Sequence, residues 1–204
     1  MTLTSDGLRV PEELRTDEFL LRPIRVSDAQ LDYDAVMESR DFLRLWEQST
    51  WPEDDFTVAA NRADLEKLEQ RRKDGDSFTY TVMNLDETEC LGCVYVVPTD
   101  SRQLSKSEIT AIAGSRWSDY QVAVYFWIRK SRLVDRLDQR LLALLRPWFE
   151  RDWHIERHLI VTSEQYEHQV SLIEKTGLSR LFRLKSPNES GHSIAFGTAS
   201  TSNT

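Results

Sequence analysis

The pattern of apolar and polar residues in the first third of the chain predicts one strand and two helices. Residues 18–24 are mostly apolar and end beside a proline, which is typical of a strand. Residues 27–30 (SDAQ) have the capping-box pattern that begins a helix. A second helix should begin after Thr57 and end at Gly75. Between these helices, residues 42–52 are aromatic and break the helical period.

The middle of the chain is predicted to be mainly β-structure. Residues 78–83 and 90–97 are rich in β-branched and aromatic side chains and flank a turn, so they predict a hairpin. Residues 99–119 are polar and mixed, and we interpret them as an inserted loop with room for one short helix. Residues 120–128 are apolar at both odd and even positions, so we expect a central, buried strand.

The last third predicts two further helices, a strand between them and a closing hairpin. Leucines at helical spacing follow residue 137, and Pro147 should kink or end that helix. Residues 158–161 predict a strand, and residues 162–165 should cap the next helix, which ends at Gly177. Two short apolar runs near the C-terminus, residues 181–184 and 193–196, form the predicted hairpin.

Length and composition indicate one globular domain. The chain has 204 residues, of which 40% are hydrophobic and 29% charged, which is enough for a sizeable core. We expect the domain to span residues 18–197. Residues 1–17 should form an irregular lead-in, and residues 198–204 a frayed tail.

The charge of the chain excludes some classes of partner. Its net charge is −8 and its pI about 5.1, whereas nucleic acids and anionic membranes select positive surfaces. No apolar run approaches the roughly 18 residues that span a bilayer. The first ten residues lack the apolar stretch of a secretory signal. We therefore predict a cytoplasmic protein with neither nucleic acid nor membrane as its partner.

The two cysteines, Cys90 and Cys93, have C-x-x-C spacing but are predicted to bind no metal. Zinc would need a second ligand pair, and the sequence offers none at suitable spacing. Residues three apart on a strand also point to opposite faces, so the two thiols should not share a ligand. His154 and His158 straddle a predicted helix–strand junction, and we do not interpret them as ligands either.

Three short segments, in order and spacing, resemble those of a known family. Residues 19–29 (FLLRPIRVSDA) resemble an opening strand, turn and helix cap. Residues 92–98 (GCVYVVP) resemble a hairpin strand, and residues 172–178 (LIEKTGL) a late helix. The family is the GNAT superfamily of acyl-CoA-dependent N-acyltransferases. The resemblance implies an α/β fold in which a mixed, mostly antiparallel twisted sheet with splayed central parallel strands is flanked by helices.

The resemblance also implies a place for acetyl-CoA or another acyl-CoA. The pantetheine arm would lie between the strands of residues 120–128 and 158–161, where backbone N–H groups of residues 126–128 stabilise the reacting carbonyl. The pyrophosphate would bind residues 129–138, hereafter the basic turn, at a helix N-terminus. The residues so implied to bind the cofactor are Phe126, Trp127, Ile128, Arg129, Arg132, Val134, Arg136 and Asp138.

The basic turn departs from the family pattern because it contains no glycine. Residues 133–138 (LVDRLD) stand where glycines let the backbone approach phosphate, and Asp138 replaces the last small residue. A carboxylate about 5 Å from a phosphate charge is repelled by roughly 3 kcal/mol at an effective dielectric near 20. Four cations close to the same turn oppose this repulsion. The alternative is that these cations only form ion pairs with carboxylates at a solvated helix start. They are Arg129, Lys130, Arg132 and Arg136.

The catalytic residues are less well defined by the sequence. Ile173 stands where many family members have the tyrosine that protonates the leaving thiolate. Glu164 and Tyr166 are the predicted catalytic candidates, while Tyr125 and His168 lie within reach by element order. The leading hypothesis is an N-acyltransferase acting on a small-molecule or peptide amine. The alternative is a catalytically inactive GNAT-fold binding or interaction protein, and a homodimer is left open.

Overall fold

The computed structural model describes residues 10–112, 114–187 and 189–199. Residues 1–9 and 200–204, which carry much of the predicted lead-in and tail, lie outside these ranges. The strands are β1 Leu14–Arg15, β2 Phe19–Pro23, β3 Phe78–Asn84, β4 Cys90–Pro98, β5 Glu108–Ala111, β6 Val122–Ile128, β7 His158–Ser163, β8 Ser179–Lys185 and β9 Ser193–Gly197. The helices are α1 Ala29–Glu47, α2 Val58–Asp74, α3 Lys130–Leu133, α4 Leu137–Arg151 and α5 Glu167–Glu174.

The described strands form a single mixed sheet in the order β1-β2-β3-β4-β6-β7-β9-β8-β5. Neighbouring strands are antiparallel except β6 and β7, which run parallel. Their pairing covers only Val122↔His158, Ala123↔Leu159 and Val124↔Ile160, and the strands then continue unpaired with each other. The predicted pair of parallel strands that diverge at one end is confirmed.

Helices cover both faces of the sheet because β6 is apolar on both sides. Phe126 and Ile128 share a buried cluster with residues of α4 and α5. Trp127, on the opposite face, packs in a second cluster with residues of α1 and α2. The predicted ends of α2 are also confirmed, since the Thr57 side chain accepts a hydrogen bond from the Ala60 N–H and Gly75 has a φ of 71°.

Helix α1 runs farther than the sequence pattern indicated. Residues 42–47 were interpreted as a break in the period, but they continue the helix, with Leu43 and Trp46 buried on the side that already carries Val36. The helix ends one residue later at Gln48, whose backbone is left-handed, with a φ of 57°. The aromatic residues lie at the end of an amphipathic helix, where Trp46 packs against Tyr95 of β4 and Phe42 stacks on Tyr166.

The predicted inserted loop at residues 99–119 contains two short 3₁₀ turns and strand β5. β5 pairs with β8 and forms the edge of the described sheet. The lead-in likewise contains a short strand, β1, which pairs with β2. Both pieces are short, and their strand character comes from pairing with distant residues, which a local pattern does not show.

The predicted helix boundaries near α4 and α5 need correction. Thr162 and Ser163, predicted to cap a helix, are the last residues of β7, and α5 begins at Glu167. Pairing with β9 extends the strand to these residues. Helix α4 continues four residues beyond Pro147, to Arg151, because its packing against the sheet persists through buried Trp148 and Phe149.

Candidate active site

The gap between the diverging ends of β6 and β7 is bridged by a side chain. Gln169 of α5 is 3% exposed, and its Nε2 donates to the Phe126 carbonyl at 2.9 Å. Its Oε1 accepts a hydrogen bond from the Thr162 hydroxyl at 2.6 Å. A backbone carbonyl of β6, beside the implied place of the pantetheine arm, is therefore already satisfied by the chain itself.

The N–H groups at the start of the basic turn are also satisfied from within the chain. Glu38 of α1 accepts hydrogen bonds from the Ser131 N–H at 2.8 Å and from the Arg129 Nε at 2.6 Å. The neighbouring Ser39 hydroxyl accepts from the Lys130 N–H at 3.0 Å. The Glu38 carboxylate thus occupies the position of an anion at the N-terminus of α3, and these bonds lower its pKa despite opposing desolvation.

Asp138 occupies a comparable position at the start of α4. Its carboxylate is buried, accepts from the Gln139 N–H at 2.9 Å, and lies 2.7 Å from the Nε2 of His168. Tyr166 lies near this pair, with its ring centroid 5.8 Å from that of His168, and burial and then the charge of Asp138 raise the pKa of its phenol. The Tyr166 ring also stacks on Phe42 of α1, with ring centroids 5.3 Å apart.

Three of the four predicted cations pair with carboxylates of the chain. Arg129 contacts Glu38 and Glu89, Arg132 contacts Glu89 at 2.5 Å, and Lys130 contacts Asp41 at 3.6 Å. Within the described ranges, Arg136 alone of the four has no ion pair. Val134, also implied to bind the cofactor, is 83% exposed.

Arg136 keeps the backbone geometry of a glycine turn. It precedes α4 with a φ of 58°, which lies in the left-handed region that glycine adopts without steric cost. The family has a glycine at this alignment position. The chain therefore has a left-handed backbone at this point with a long cationic side chain in place of a glycine.

The predicted catalytic residues, Glu164 and Tyr166, are the first and last residues of the connection between β7 and α5. Glu164 forms an ion pair with Arg183, with Nη2 and Oε2 2.7 Å apart, so its carboxylate already has a partner. Tyr166 directly precedes α5 and faces α1, as its stacking on Phe42 shows. Ile173 is fully buried in the core, and the structure brings no tyrosine to its place.

A cavity of about 340 Å³ lies on the α1 and α2 face of the sheet. We call it the aromatic–acidic cavity because aromatic and acidic side chains line much of it. An outer cavity of about 870 Å³ shares six of its lining residues, among them Glu47 and Glu189. The aromatic and charged residues that line it are Trp46, Glu47, Trp51, Asp64, Arg71, Tyr95, Tyr125 and Glu189.

Glu47, the last residue of α1, is the most strongly perturbed acid of this cavity. The residue is exposed to solvent, while the walls of the cavity partly desolvate its carboxylate. This desolvation, followed by repulsion from Glu189, raises its pKa from 4.5 to about 7. Burial and then the charges of Glu189 and Glu47 also raise the pKa of the Tyr125 phenol. Three ionisable groups of one cavity, Glu47, Glu189 and Tyr125, therefore interact electrostatically.

The β8–β9 connection places Glu189 beside Glu47. The Ser190 N–H donates to the Gln48 carbonyl at 2.9 Å, and the Gln48 Nε2 donates to the Ser193 hydroxyl at 2.9 Å. Sequence reasoning missed this cavity because Glu47 and Glu189 are 142 positions apart. The only local signal was the aromatic segment around Trp46 and Trp51, which had been interpreted as a break.

A further cavity of about 280 Å³ lies at the opposite end of the parallel pair. It is lined by Tyr120 and His158, at the starts of β6 and β7, and by residues of α4. Burial lowers the pKa of His158 to about 4, so its imidazole is neutral at physiological pH. This cavity is remote from the diverging strand ends, and we do not assign it to acyl transfer.

Cys90 and Cys93 lie on the same face of β4, so the prediction that they face opposite sides is wrong. Between Val82↔Gly92 and Met83↔Cys90 the pairing skips Leu91, which is a β-bulge. The extra residue restores both cysteines to the α1 face, while Leu91 packs on the other face. Gly92 makes this possible, because a Cβ there would lie 2.1 Å from the Trp127 carbonyl oxygen.

Solved structures of several acetyltransferases resemble this chain in fold and only distantly in sequence. A ribosomal-protein-S5-alanine acetyltransferase from Vibrio fischeri has a TM-score of 0.64 at 14% identity, over 93% of this chain and 97% of that one. The microcin C7 self-immunity acetyltransferase MccE, in complex with acetyl-CoA and AMP, has 0.67 at 10% identity, over 93% and 97%. RimJ from Mycobacterium smegmatis, in complex with CoA-disulfide, has 0.66 at 14% identity, over 95% and 85%.

The chain therefore has the fold of the GNAT acetyltransferases, as its three sequence segments predicted. No protein-family profile and no curated protein sequence matches it. Among the described helices, none combines the length and apolar character needed to cross a bilayer.

Proposed function

We propose that this chain transfers an acyl group from an acyl-CoA to an amine that enters the aromatic–acidic cavity. The observation that carries the proposal is the position of β6. Its far end diverges from β7, as a donor site in this fold requires, and its Tyr125 side chain lines the cavity. The acyl-CoA complexes of MccE and RimJ support the donor, and the ribosomal-protein acetyltransferases support a peptide or other amine acceptor.

The cavity is suited to an amine that arrives as an ammonium ion. Glu47 and Glu189 attract its positive charge, and the rings of Trp46, Trp51 and Tyr95 offer cation–π contacts. A carboxylate whose pKa is about 7 can remove a proton near neutral pH, since its basicity matches the working pH. We assign Glu47 as the general base on these grounds.

The reaction balances with the groups of the two substrates and one base. The Glu47 carboxylate takes a proton from the ammonium ion, and the free amine attacks the thioester carbonyl carbon. A carbon–nitrogen bond forms and the carbon–sulfur bond breaks, leaving the CoA thiolate and an N-protonated amide, whose extra proton passes to the thiolate. Tyr166 is our candidate for relaying this proton, giving its own to the thiolate and taking the extra one from nitrogen; its raised pKa keeps the phenol protonated but makes it a weaker acid. Glu164 is less suited because Arg183 holds its carboxylate.

Donor binding must displace contacts that the chain makes with itself. The Gln169 bond to Phe126 covers a backbone acceptor, and Asp138 places negative charge at the start of α4. Arg136 is exposed beside that start and is available for a phosphate. We propose that the Gln169 and His168–Asp138 contacts open when the donor enters. The cytoplasmic location, the homodimer and the domain span of residues 18–197 remain predictions from the sequence.

The test measures the release of the CoA thiol when the purified chain is mixed with an acyl donor and an acceptor. The donors are acetyl-CoA and longer acyl-CoAs, and the acceptors are a panel of amines and peptide N-termini. Glu47→Gln should lower kcat by about a hundredfold or more with an accepted amine, as removal of a general base does. Glu66→Gln, on the exposed side of α2, should not change the rate. If no amine is acylated and CoA does not shift the melting temperature, the inactive binding protein becomes the better reading.

A further inference from the structure

Three buried side chains converge between α1 and the β3–β4 hairpin, outside the candidate active site. Asp32 Oδ1 lies 3.5 Å from the Cys93 Sγ and 3.8 Å from the Cys90 Sγ. One ligand atom from each of the three residues lies within 4.8 Å of the other two. We call these residues the Asp–Cys cluster. Its distances fit one small ion, because zinc–sulfur bonds of about 2.3 Å and zinc–oxygen bonds of about 2.0 Å in a tetrahedron place sulfur and oxygen about 3.5 Å apart.

The surroundings of Asp32 lack the cation that a buried carboxylate usually requires. Asp32 is 4% exposed, and no lysine or arginine in the described ranges forms an ion pair with it. The nearby Arg22 guanidinium is held by Asp28 and Glu87. The other oxygen of Asp32 accepts from the Asn61 Nδ2 at 2.9 Å, which fixes the orientation of the carboxylate as an outer partner of a metal ligand does.

A fourth polar group lies beside the cluster. Thr81 of β3 is fully buried, and its hydroxyl has no hydrogen-bond partner among the described residues. Thr81 is the cross-strand neighbour of Cys93, so the two side chains share a face of the sheet. An unpartnered hydroxyl in a dry interior is costly, and its position next to the two thiols points to a missing ligand.

We propose that the Asp–Cys cluster binds a zinc-like divalent cation. Cys90 and Cys93 contribute thiolates, Asp32 contributes a carboxylate oxygen, and Thr81 or a water molecule completes a tetrahedron. Two thiol protons leave as the ion binds, so the site keeps one net negative charge, the same as an ionised Asp32 beside two neutral thiols. The donor set of two sulfurs and one oxygen suits zinc rather than calcium or magnesium.

The bound ion would join two elements whose contact otherwise consists of apolar packing and the weak hydrogen bonds that the two thiols donate to Asp32. Asp32 belongs to α1, while both cysteines belong to the bulged part of β4. The site is closed by protein, with each ligand residue under 5% exposed, which is the arrangement of a structural rather than a catalytic metal. Its role is therefore to fix α1 on the sheet, and it does not depend on the proposed acyl transfer.

The test is the metal content of the full chain, purified without chelator and then dialysed, measured by plasma mass spectrometry. We expect about one zinc per chain, and Cys93→Ser and Asp32→Asn should each weaken binding about tenfold or more. Thr79→Val is the matched control, because Thr79 is a buried threonine on the same strand and face but pairs with Tyr95. It should retain the metal.

A second measurement keeps the proposal open to refutation if the variants do not fold. Cobalt added to the metal-free wild type should produce a near-ultraviolet band from cobalt–thiolate bonds, and both thiols should become resistant to alkylation. A wild-type chain that takes up neither zinc nor cobalt while both thiols are free would overturn the proposal. A wild-type chain whose mass is two hydrogens below the calculated value, and returns to that value on reduction, would also overturn it. The two cysteines would then form a disulfide.

Discussion

Replacing Gln169 with alanine should lower the stability of the free protein and raise its affinity for CoA. The side chain makes two buried hydrogen bonds, one to the Thr162 hydroxyl and one to the Phe126 carbonyl. In Gln169→Ala both partners stay buried and lose their bond, at about 1–3 kcal/mol each. The free energy of unfolding should therefore fall by about 2–6 kcal/mol. For a chain of this size the melting temperature should fall by at least about 4 °C.

The affinity for CoA should rise, because the hydrogen bond from Gln169 to the Phe126 carbonyl competes with the donor for the same acceptor. A pantetheine amide that uses the Phe126 carbonyl must first displace the Gln169 amide. Removing the competitor saves the net value of one neutral hydrogen bond, about 1 kcal/mol, so CoA should bind roughly fivefold more tightly. Titration calorimetry gives the affinity, and scanning calorimetry gives the melting temperature.

A second glutamine, Gln70 of α2, provides the control. Gln70→Ala removes a glutamine that is exposed on α2 and bonded only to Asp74, so it should change neither quantity appreciably. A folded Gln169→Ala protein that binds CoA with unchanged or weaker affinity would refute the reasoning. The Phe126 carbonyl would then not lie on the path of the donor, or Gln169 would itself contact CoA.

Three other variants test the charges of the two sites. Asp138→Asn keeps a polar contact to His168 but removes the negative charge, so it should tighten CoA binding in a calorimetric titration; an unchanged Kd would contradict this. Arg136→Ala should weaken CoA binding about tenfold, more at low salt than at high salt, whereas a salt-independent loss would exclude a phosphate contact. For Glu47, a pKa raised from 4.5 to about 7 means that the folded state binds more protons in that interval, so stability falls as pH rises through it. Glu47→Gln should therefore raise the melting temperature near pH 8 and change it little near pH 4, and equal shifts at both pH values would disprove the perturbed pKa.

Elements whose pattern is local were predictable from the sequence. The β3–β4 hairpin, the ends of α2 and the two apolar faces of β6 depend on residues a few positions apart, and the structure confirms them. β5 was not predictable, because its four residues become a strand only by pairing with β8, about 75 positions later. The end of α1 was missed because its aromatic residues obscured a period that continues through Leu43 and Trp46.

The candidate site shows the same division between local and distant information. The basic turn could be located, but its cations are neutralised by Glu38 and Glu89, which no spacing rule connects to it. The charged pair at the mouth of the aromatic–acidic cavity also joins remote positions. The geometry of Cys90 and Cys93 was predicted wrongly because strict alternation assumes a regular strand, and a single extra residue at Leu91 reverses it.

Helix α1 carries five acidic residues, and three of them reach three different places in the molecule. Asp32 contacts the two thiols, Glu38 closes the start of the basic turn, and Glu47 lines the aromatic–acidic cavity. The helix has 19 residues and is therefore about 28 Å long. A donor phosphate that competes with Glu38 for the Ser131 N–H would act on the same helix that carries Glu47, while Asp32 stays fixed on β4. In kinetic terms, we expect an obligatory order in which the acyl donor binds first, because its arrival sets the position of the base before the amine enters.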